Sequence, residues 1–173
     1  LSSSRALRDV TEQYGGEYFA AAVGEVNVTA KMRECGAVIG GEGNGGVIYP
    51  ALHYGRDAIV GVALFLTNLA YKKVKVSELR ASYPEYVIAK NKIELSDSAL
   101  IDNILETVKA KYAAEDINTI DGVKISFEER KEWVHLRRSN TEPIIRIFAE
   151  AATAEAADAL AQQIIDIAES IIK

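Results

Sequence analysis

The sequence predicts two units of different fold class, an α/β layer followed by an α+β unit. Two patterns carry this reading. The first half runs helix, strand, helix, strand with short joins, the order of an α/β layer with a mixed, partly parallel sheet. The second half runs strand, helix, hairpin, two strands, helix, the order of an antiparallel sheet with helices on one face. Between them, Lys72-Lys73-Val74-Lys75 gives a solvated helix end and Pro84 marks a boundary.

Each element has a local reason. Ser2, Ser3 and Ser4 are helix-start residues, with Ala6, Leu7, Val10 and Tyr14 following at helical spacing and Gly15-Gly16 as the stop. Tyr18–Val23 reads as a buried strand, Val26–Arg33 as a short helix, and Ala37–Ile39 as a second buried strand. Asp57 is a good N-cap for a helix over Ala58–Tyr71, which is apolar nearly all round and so is expected to be buried on both sides. Ser77–Ala81 reads as a short helical segment. Tyr86–Leu95 reads as a strand. Asp97–Tyr112 carries Ile101, Ile104, Leu105, Val108 and Tyr112 on one helical stripe. Asn118–Ile120 and Val123–Phe127 read as a hairpin joined by Asp121-Gly122, the dipeptide of a type I′ turn. Glu132–Leu136 and Ile144–Ala149 are the last strands. Thr153 caps a final helix with Leu160, Ile164, Ile167 and Ile171 at core spacing.

The chain has 173 residues, a net charge of −5 and a single cysteine, Cys35. This length can bury a real core. The acidic balance, together with an expected lack of an aromatic and basic sheet face, argues against nucleic acid. One cysteine allows no internal disulfide and suits a reducing cytoplasm. The longest apolar run, Ala58–Leu66, is too short to cross a bilayer, and no signal peptide is visible, so the expectation is a cytoplasmic protein without a membrane partner.

Two loops carry the chemistry. Gly40-Gly41-Glu42-Gly43-Asn44-Gly45-Gly46 has five glycines in seven residues directly after an expected strand. Its backbone can approach a ligand closely. The spacing fits neither a dinucleotide fingerprint nor a P-loop. Glu42 and Asn44 at i, i+2 are expected to point the same way, and a carboxylate beside a carboxamide suits vicinal sugar hydroxyls. A flexible turn with both side chains solvated fits the same residues. The second loop is Arg137-Arg138-Ser139-Asn140-Thr141-Glu142-Pro143, between two strands. Guanidinium forks, hydroxyls and turn N–H groups are the equipment for holding a phosphate. A polar turn with a solvated arginine pair is the plain alternative. His53 reads as a hydrogen-bonded loop histidine.

Taken together, the two loops resemble those of the α-D-phosphohexomutases. Gly41–Gly46 is similar to the sugar-recognition loop of their third domain, and Arg137–Pro143 to the phosphate-binding loop of their fourth. The resemblance extends over the whole chain. It implies interconversion of hexose 1-phosphate and hexose 6-phosphate through a phosphorylated serine, a bound Mg²⁺ and a hexose 1,6-bisphosphate intermediate. It implies that Glu42, Asn44 and Gly45 meet the sugar, that Arg137, Ser139, Asn140 and Thr141 hold the phosphate not being transferred, and that Arg146 supports the loop. It also implies an antiparallel four-stranded sheet with two helices, as in the TATA-binding protein, for the second unit. The expected organisation is most of domain three over 1–75, a hinge over 76–83 and domain four over 84–173. Departures exist: many bacterial members have Ser where Asn44 stands and His where Gly46 stands, and some carry Gly-His where this chain has Gly24-Glu25. No phosphorylated-serine loop and no Asp-Gly-Asp metal loop is found. The chain is therefore expected to be the substrate-binding C-terminal part of such an enzyme, inactive without the N-terminal domains as partners and with no metal ligands of its own. A non-catalytic phosphosugar-binding module is the alternative.

Overall fold

The computed structural model describes residues 1–95, 99–139 and 142–172. They form two units, Leu1–Glu85 and Tyr86–Lys173.

In the first unit, helix α1 (Ala6–Gln13) starts where Ser4 Oγ accepts from the Ala6 N–H at 3.2 Å. It ends at Gly15, whose φ of +72° only glycine adopts without cost. Helix α2 (Glu25–Cys35) follows and closes on Gly36 at φ +66°. Strands β1 (Gly40–Gly41), β2 (Val47–Tyr49) and β3 (His53–Arg56) form a sheet in the order β1-β2-β3. Every pairing in it is antiparallel, so the expected parallel component is absent from the described residues. Tyr18–Val23 does not join a sheet. The strand expected at Ala37–Ile39 falls instead on the two glycines after it, with Val38 and Ile39 exposed. Both sequence readings rested on apolar content, and an apolar run becomes a strand only when a ladder partner lies beside it.

Helix α3 (Ala58–Lys72) begins as the sequence requires: Asp57 Oδ1 accepts from the Val60 N–H at 3.0 Å. His53 Nδ1 accepts from the Gly55 N–H and its Nε2–H faces Asp57 Oδ2 at 3.1 Å, so this histidine braces the cap. The helix is not buried on both sides. Ile59, Val62, Phe65, Leu66 and Tyr71 are all exposed, because the three-stranded sheet covers little of it. Helix α4 (Val76–Ala81) completes the unit, with Leu79 buried.

The second unit is a five-stranded antiparallel sheet in the order β4-β8-β7-β6-β5. Its strands are β4 (Val87–Glu94), β5 (Asp116–Asn118), β6 (Val123–Phe127), β7 (Glu132–Arg138) and β8 (Ile144–Ala151). The residue pattern gives five strands where the resemblance implied four, and the short edge strand β5 starts two residues before the expected Asn118–Ile120. Helices α5 (Ala99–Lys111) and α6 (Ala154–Ile172) lie on one face. The core is built from Ile101, Ile104 and Val108 of α5, from Leu160, Ala161, Ile164 and Ala168 of α6, and from alternate residues of the central strands: Ile125, Val134, Leu136, Ile145, Ile147 and Ala149. That period of two in the strands and of three to four in the helices is what the sequence pattern forecast. Thr153 Oγ1 accepts from the Ala156 N–H at 3.2 Å, as expected of a cap. Asp97, read as part of the α5 start, lies outside the described residues.

The Asp121-Gly122 hairpin differs from its expected form. Asn118 pairs with Lys124, so five residues lie between the last paired positions, and only Gly122 of the dipeptide has positive φ, at +77°. A type I′ turn needs positive φ at both positions. Asn118 Oδ1 instead accepts from the Ile120 N–H at 3.0 Å and starts a wider turn.

The sheet face away from the helices also departs from expectation. Following the ladder, it carries Lys90 and Lys92, Arg146 and Phe148, Trp133, His135 and Arg137, and Lys124. It is therefore both basic and aromatic. Its rings are not open for stacking on bases, however. Trp133 is buried with Lys124 Nζ 4.2 Å from its ring centre, and Lys90 Nζ lies 5.9 Å from the Phe148 ring.

Candidate functional site

The second-unit loop is built by the end of a hairpin. Arg138 pairs with Ile145, and beyond that pair the Ser139 N–H donates to Ile144 O at 3.0 Å and closes the loop. Pro143 gives its carbonyl to the Leu95 N–H at 3.0 Å and ties the loop to the end of β4. Ser139 is buried. Asn140 and Thr141 lie outside the described residues.

Alternation along β7 splits the two neighbouring arginines. Arg138 turns to the helix side, with Nη2 3.9 Å from Asp102 Oδ1 on α5. Arg137 is on the open side, directly opposite Arg146 on β8, which is directly opposite Lys92 on β4. Three cations in adjacent strands form one row. Like charges directly opposite one another are destabilising, and three carboxylates offset them. Asp121 Oδ2 is 3.6 Å from Arg137 Nε, Glu142 Oε2 is 3.9 Å from Arg146 Nη2, and Glu94 Oε1 is 2.8 Å from Lys92 Nζ. The last pair holds the Lys92 ammonium above and the Glu94 carboxyl below their ordinary ranges. Two of the three pairs are long, and ion pairs exposed to solvent contribute little. Arg137 Nε is buried and has no hydrogen-bond partner among the described residues. A row of cations held by weak pairs has donors to offer an arriving oxyanion.

Behind this row stands a support. His135 is buried, and its Nε2–H donates to Asp121 O at 2.6 Å. Burial pushes its pKa down to about 4, against the pull of that hydrogen bond. Trp133 Nε1–H donates to the buried Glu150 Oε1 at 2.6 Å across the same two strands, β7 and β8. Asp121 was read from sequence only as a turn residue. Nothing in a linear sequence links it to Arg137, sixteen positions on.

The first-unit loop is a tight turn, not an extended segment. The Glu42 N–H donates to Gly46 O, and the Gly45 N–H to Glu42 O. Gly45 has φ +93°. A Cβ on Gly46 would lie 2.6 Å from Arg56 Cδ, so a larger residue there would have to displace that side chain. Glu42 and Asn44 both have partners within the unit. Glu42 Oε1 accepts from the Gly24 N–H at 3.1 Å, and its Oε2 lies 3.8 Å from Arg56 Nη1. Asn44 is exposed and its Oδ1 accepts from the Gly46 N–H at 3.0 Å. Arg56 also pairs through Nε with Glu25 Oε2 at 2.8 Å. Gly24-Glu25, Glu42 and Arg56 are thus one cluster. Sequence reading passed over Arg56, whose only signal was its place beside the Asp57 cap.

Among the described residues no group of three or more His, Cys, Asp or Glu side chains could hold a metal ion. The described residues do not make a Mg²⁺ site. No helix among them is long and apolar enough to cross a membrane.

The chain thus carries an α/β unit with a glycine turn, followed in sequence by an antiparallel sheet under two helices. Residues 1–86 match the model of the phosphoglucomutase/phosphomannomutase alpha/beta/alpha domain III, and residues 72–167 match that of the phosphoglucomutase/phosphomannomutase C-terminal domain. The chain belongs to the phosphoglucomutase/phosphomannomutase family. It is 34% identical to a probable phosphoglucosamine mutase of Methanopyrus kandleri, over 100% of this chain and 38% of that protein. It is 35% identical to a phosphoglucomutase/phosphomannomutase of Thermococcus kodakarensis, over 100% and 38%. The crystal structure of a phosphoglucomutase/phosphomannomutase family protein from Burkholderia thailandensis superposes with a TM-score of 0.78 at 27% identity, covering 97% of this chain and 36% of that one. The chain spans 38% of the length of the two curated relatives named.

Proposed function

We propose that this chain is the substrate-anchoring part of a phosphohexomutase that interconverts hexose 1-phosphate and hexose 6-phosphate. Arg137, Ser139, Asn140 and Thr141 take the phosphate that is not being transferred, with Arg146 in support. Glu42, Asn44 and Gly45 take the sugar hydroxyls. Residues 1–75 and 84–173 act as two domains joined by a hinge over 76–83. The observation that supports this most is the row of Lys92, Arg146 and Arg137 beside the hairpin loop, each cation held by its own carboxylate. A phosphate dianion entering that row exchanges weak pairs for charge-assisted, fork-shaped contacts, which are about twice as strong as neutral hydrogen bonds.

In this reading the chain contributes binding energy remote from the reacting phosphoryl group and holds the sugar in line, an entropic contribution that reaches several kcal/mol. The bisphosphorylated intermediate is held by whichever phosphate faces the row. Mg²⁺ and the phosphorylated serine would be held by residues outside this chain, and the metal would supply charge neutralisation for the phosphoryl group in transfer. The whole enzyme works in the cytoplasm, and this chain alone turns over no substrate.

The test is an NMR titration of this chain with glucose 6-phosphate, inorganic phosphate and glucose. Shifts at Arg137 and Ser139 with both phosphate-bearing ligands, lost in Arg137→Ala, are expected. Further shifts at Glu42 and Asn44 come with the sugar phosphate only. Silence of the loop at millimolar ligand would sink the anchor role.

A further inference from the structure

We propose that Asp121 is the positioning residue of the phosphate anchor. It sets the guanidinium of Arg137 so that its Nη edge faces the anion. The proposal rests on the reading of Arg137 as the phosphate-holding arginine and adds to it the group that aims it.

Four observations converge on Asp121-Gly122. The Asp121 carboxylate lies 3.6 Å from Arg137 Nε, and both side chains are largely shielded, at 23% and 19% exposure. A carboxylate paired by charge on the Nε side of a guanidinium leaves the two Nη groups for a fork contact. The main chain of Asp121 is itself pinned, since its carbonyl accepts the 2.6 Å hydrogen bond from His135, two residues before Arg137 on β7. Gly122 presses on the same strand. A Cβ there would strike Leu136 O and lie 2.9 Å from Arg137 Cα. Its φ of +77° lets the turn fold back that closely. The turn is therefore seated against the backbone that carries Arg137, and the carboxylate it delivers comes at a fixed distance. A long, flexible arginine held this way loses less rotamer freedom when the anion arrives.

A carboxylate near an anchor can also do the opposite and compete with the ligand for the cation. The two roles give opposite signs. The experiment measures the affinity of the full chain for inorganic phosphate and for glucose 6-phosphate by NMR titration. The variants are Asp121→Asn, Asp121→Glu, Arg137→Lys, Arg137→Ala and the double variant Asp121→Asn with Arg137→Lys. Asp121→Asn keeps the shape and removes the charge. It should weaken both ligands about tenfold, the scale of one loosened charge-assisted contact, with Asp121→Glu recovering most of the loss. Lysine has no Nε–H to orient, so Asp121→Asn should change affinity less than about twofold in the Arg137→Lys background. The Arg137 Nε–H should exchange slowly with solvent in the parent and faster in Asp121→Asn.

Tighter phosphate binding by Asp121→Asn would overturn the proposal and make Asp121 a competitor. An equal loss in both backgrounds would overturn it too, as a general effect on the fold. If Arg137→Ala leaves affinity unchanged, the anchor reading itself fails. If Arg137→Ala loses binding and Asp121→Asn does not, only the role of Asp121 fails.

Discussion

Replacing Gly122 with alanine tests how firmly the turn is seated on β7. Two costs add. The φ of +77° is left-handed, and a non-glycine residue there costs roughly 1–2 kcal/mol. The new Cβ also runs into Leu136 O and comes within 2.9 Å of Arg137 Cα, both backbone atoms of a strand laddered on two sides, so neither gives way as a flexible side-chain tip would. Forced overpacking of this kind costs about 1–3 kcal/mol. The sum is about 2–5 kcal/mol, a large share of the 5–15 kcal/mol typical of a whole domain. The assay is urea unfolding followed by tryptophan fluorescence. The chain has one tryptophan, Trp133, and it is buried in the second unit, so the signal reports that unit. With a slope of roughly 1.5 kcal/mol per M, the midpoint should fall by about 1–3 M at unchanged slope. Lys131→Gly gives a reference for the backbone cost, because Lys131 has φ +55° in the same unit. It should stabilise by up to about 1 kcal/mol. A Gly122→Ala loss no larger than the Lys131→Gly gain would refute the claim that the turn is packed against the strand.

Two further outcomes follow from the same structure. Burial holds His135 at a pKa of about 4, whereas an unfolded histidine titrates near 6.5. Between those values the unfolded chain binds more protons, so stability should fall as pH drops through the window, by about 3 kcal/mol in all; the dependence should flatten in His135→Gln, and a His135 ring that titrates above pH 6 by NMR would contradict it. Asp57→Ala removes the acceptor for the Val60 N–H and the partner of His53. It should cost about 1 kcal/mol, read as earlier hydrogen exchange in the first turn of α3, with unchanged exchange there as the contrary result.

What the sequence determined by itself was local or periodic. The caps at Asp57 and Thr153, the stop at Gly15 and the α5 and α6 stripes depend on residues a few positions apart, and all are found. The core strands of the second unit were legible because alternation states which side is buried. The two loops were legible because their residue types are concentrated in short stretches.

Tertiary structure decided everything that needed a partner from elsewhere. Tyr18–Val23 and Ala37–Ile39 are as apolar as buried strands, yet neither forms one among the described residues, because a strand exists only through its neighbour. Helix α3 has the composition of a buried helix and exposes Ile59, Val62 and Phe65. Whether Arg137 or Arg138 faces the open side depends on register, and a shift of one residue would exchange them. The meeting of Arg137 with Arg146 and Lys92, and of Asp121 with Arg137, is likewise a property of the ladder. Side chains far apart in sequence become neighbours only when the strands pair, and that pairing, more than the residue types in the loop, assembles the row of cations and carboxylates.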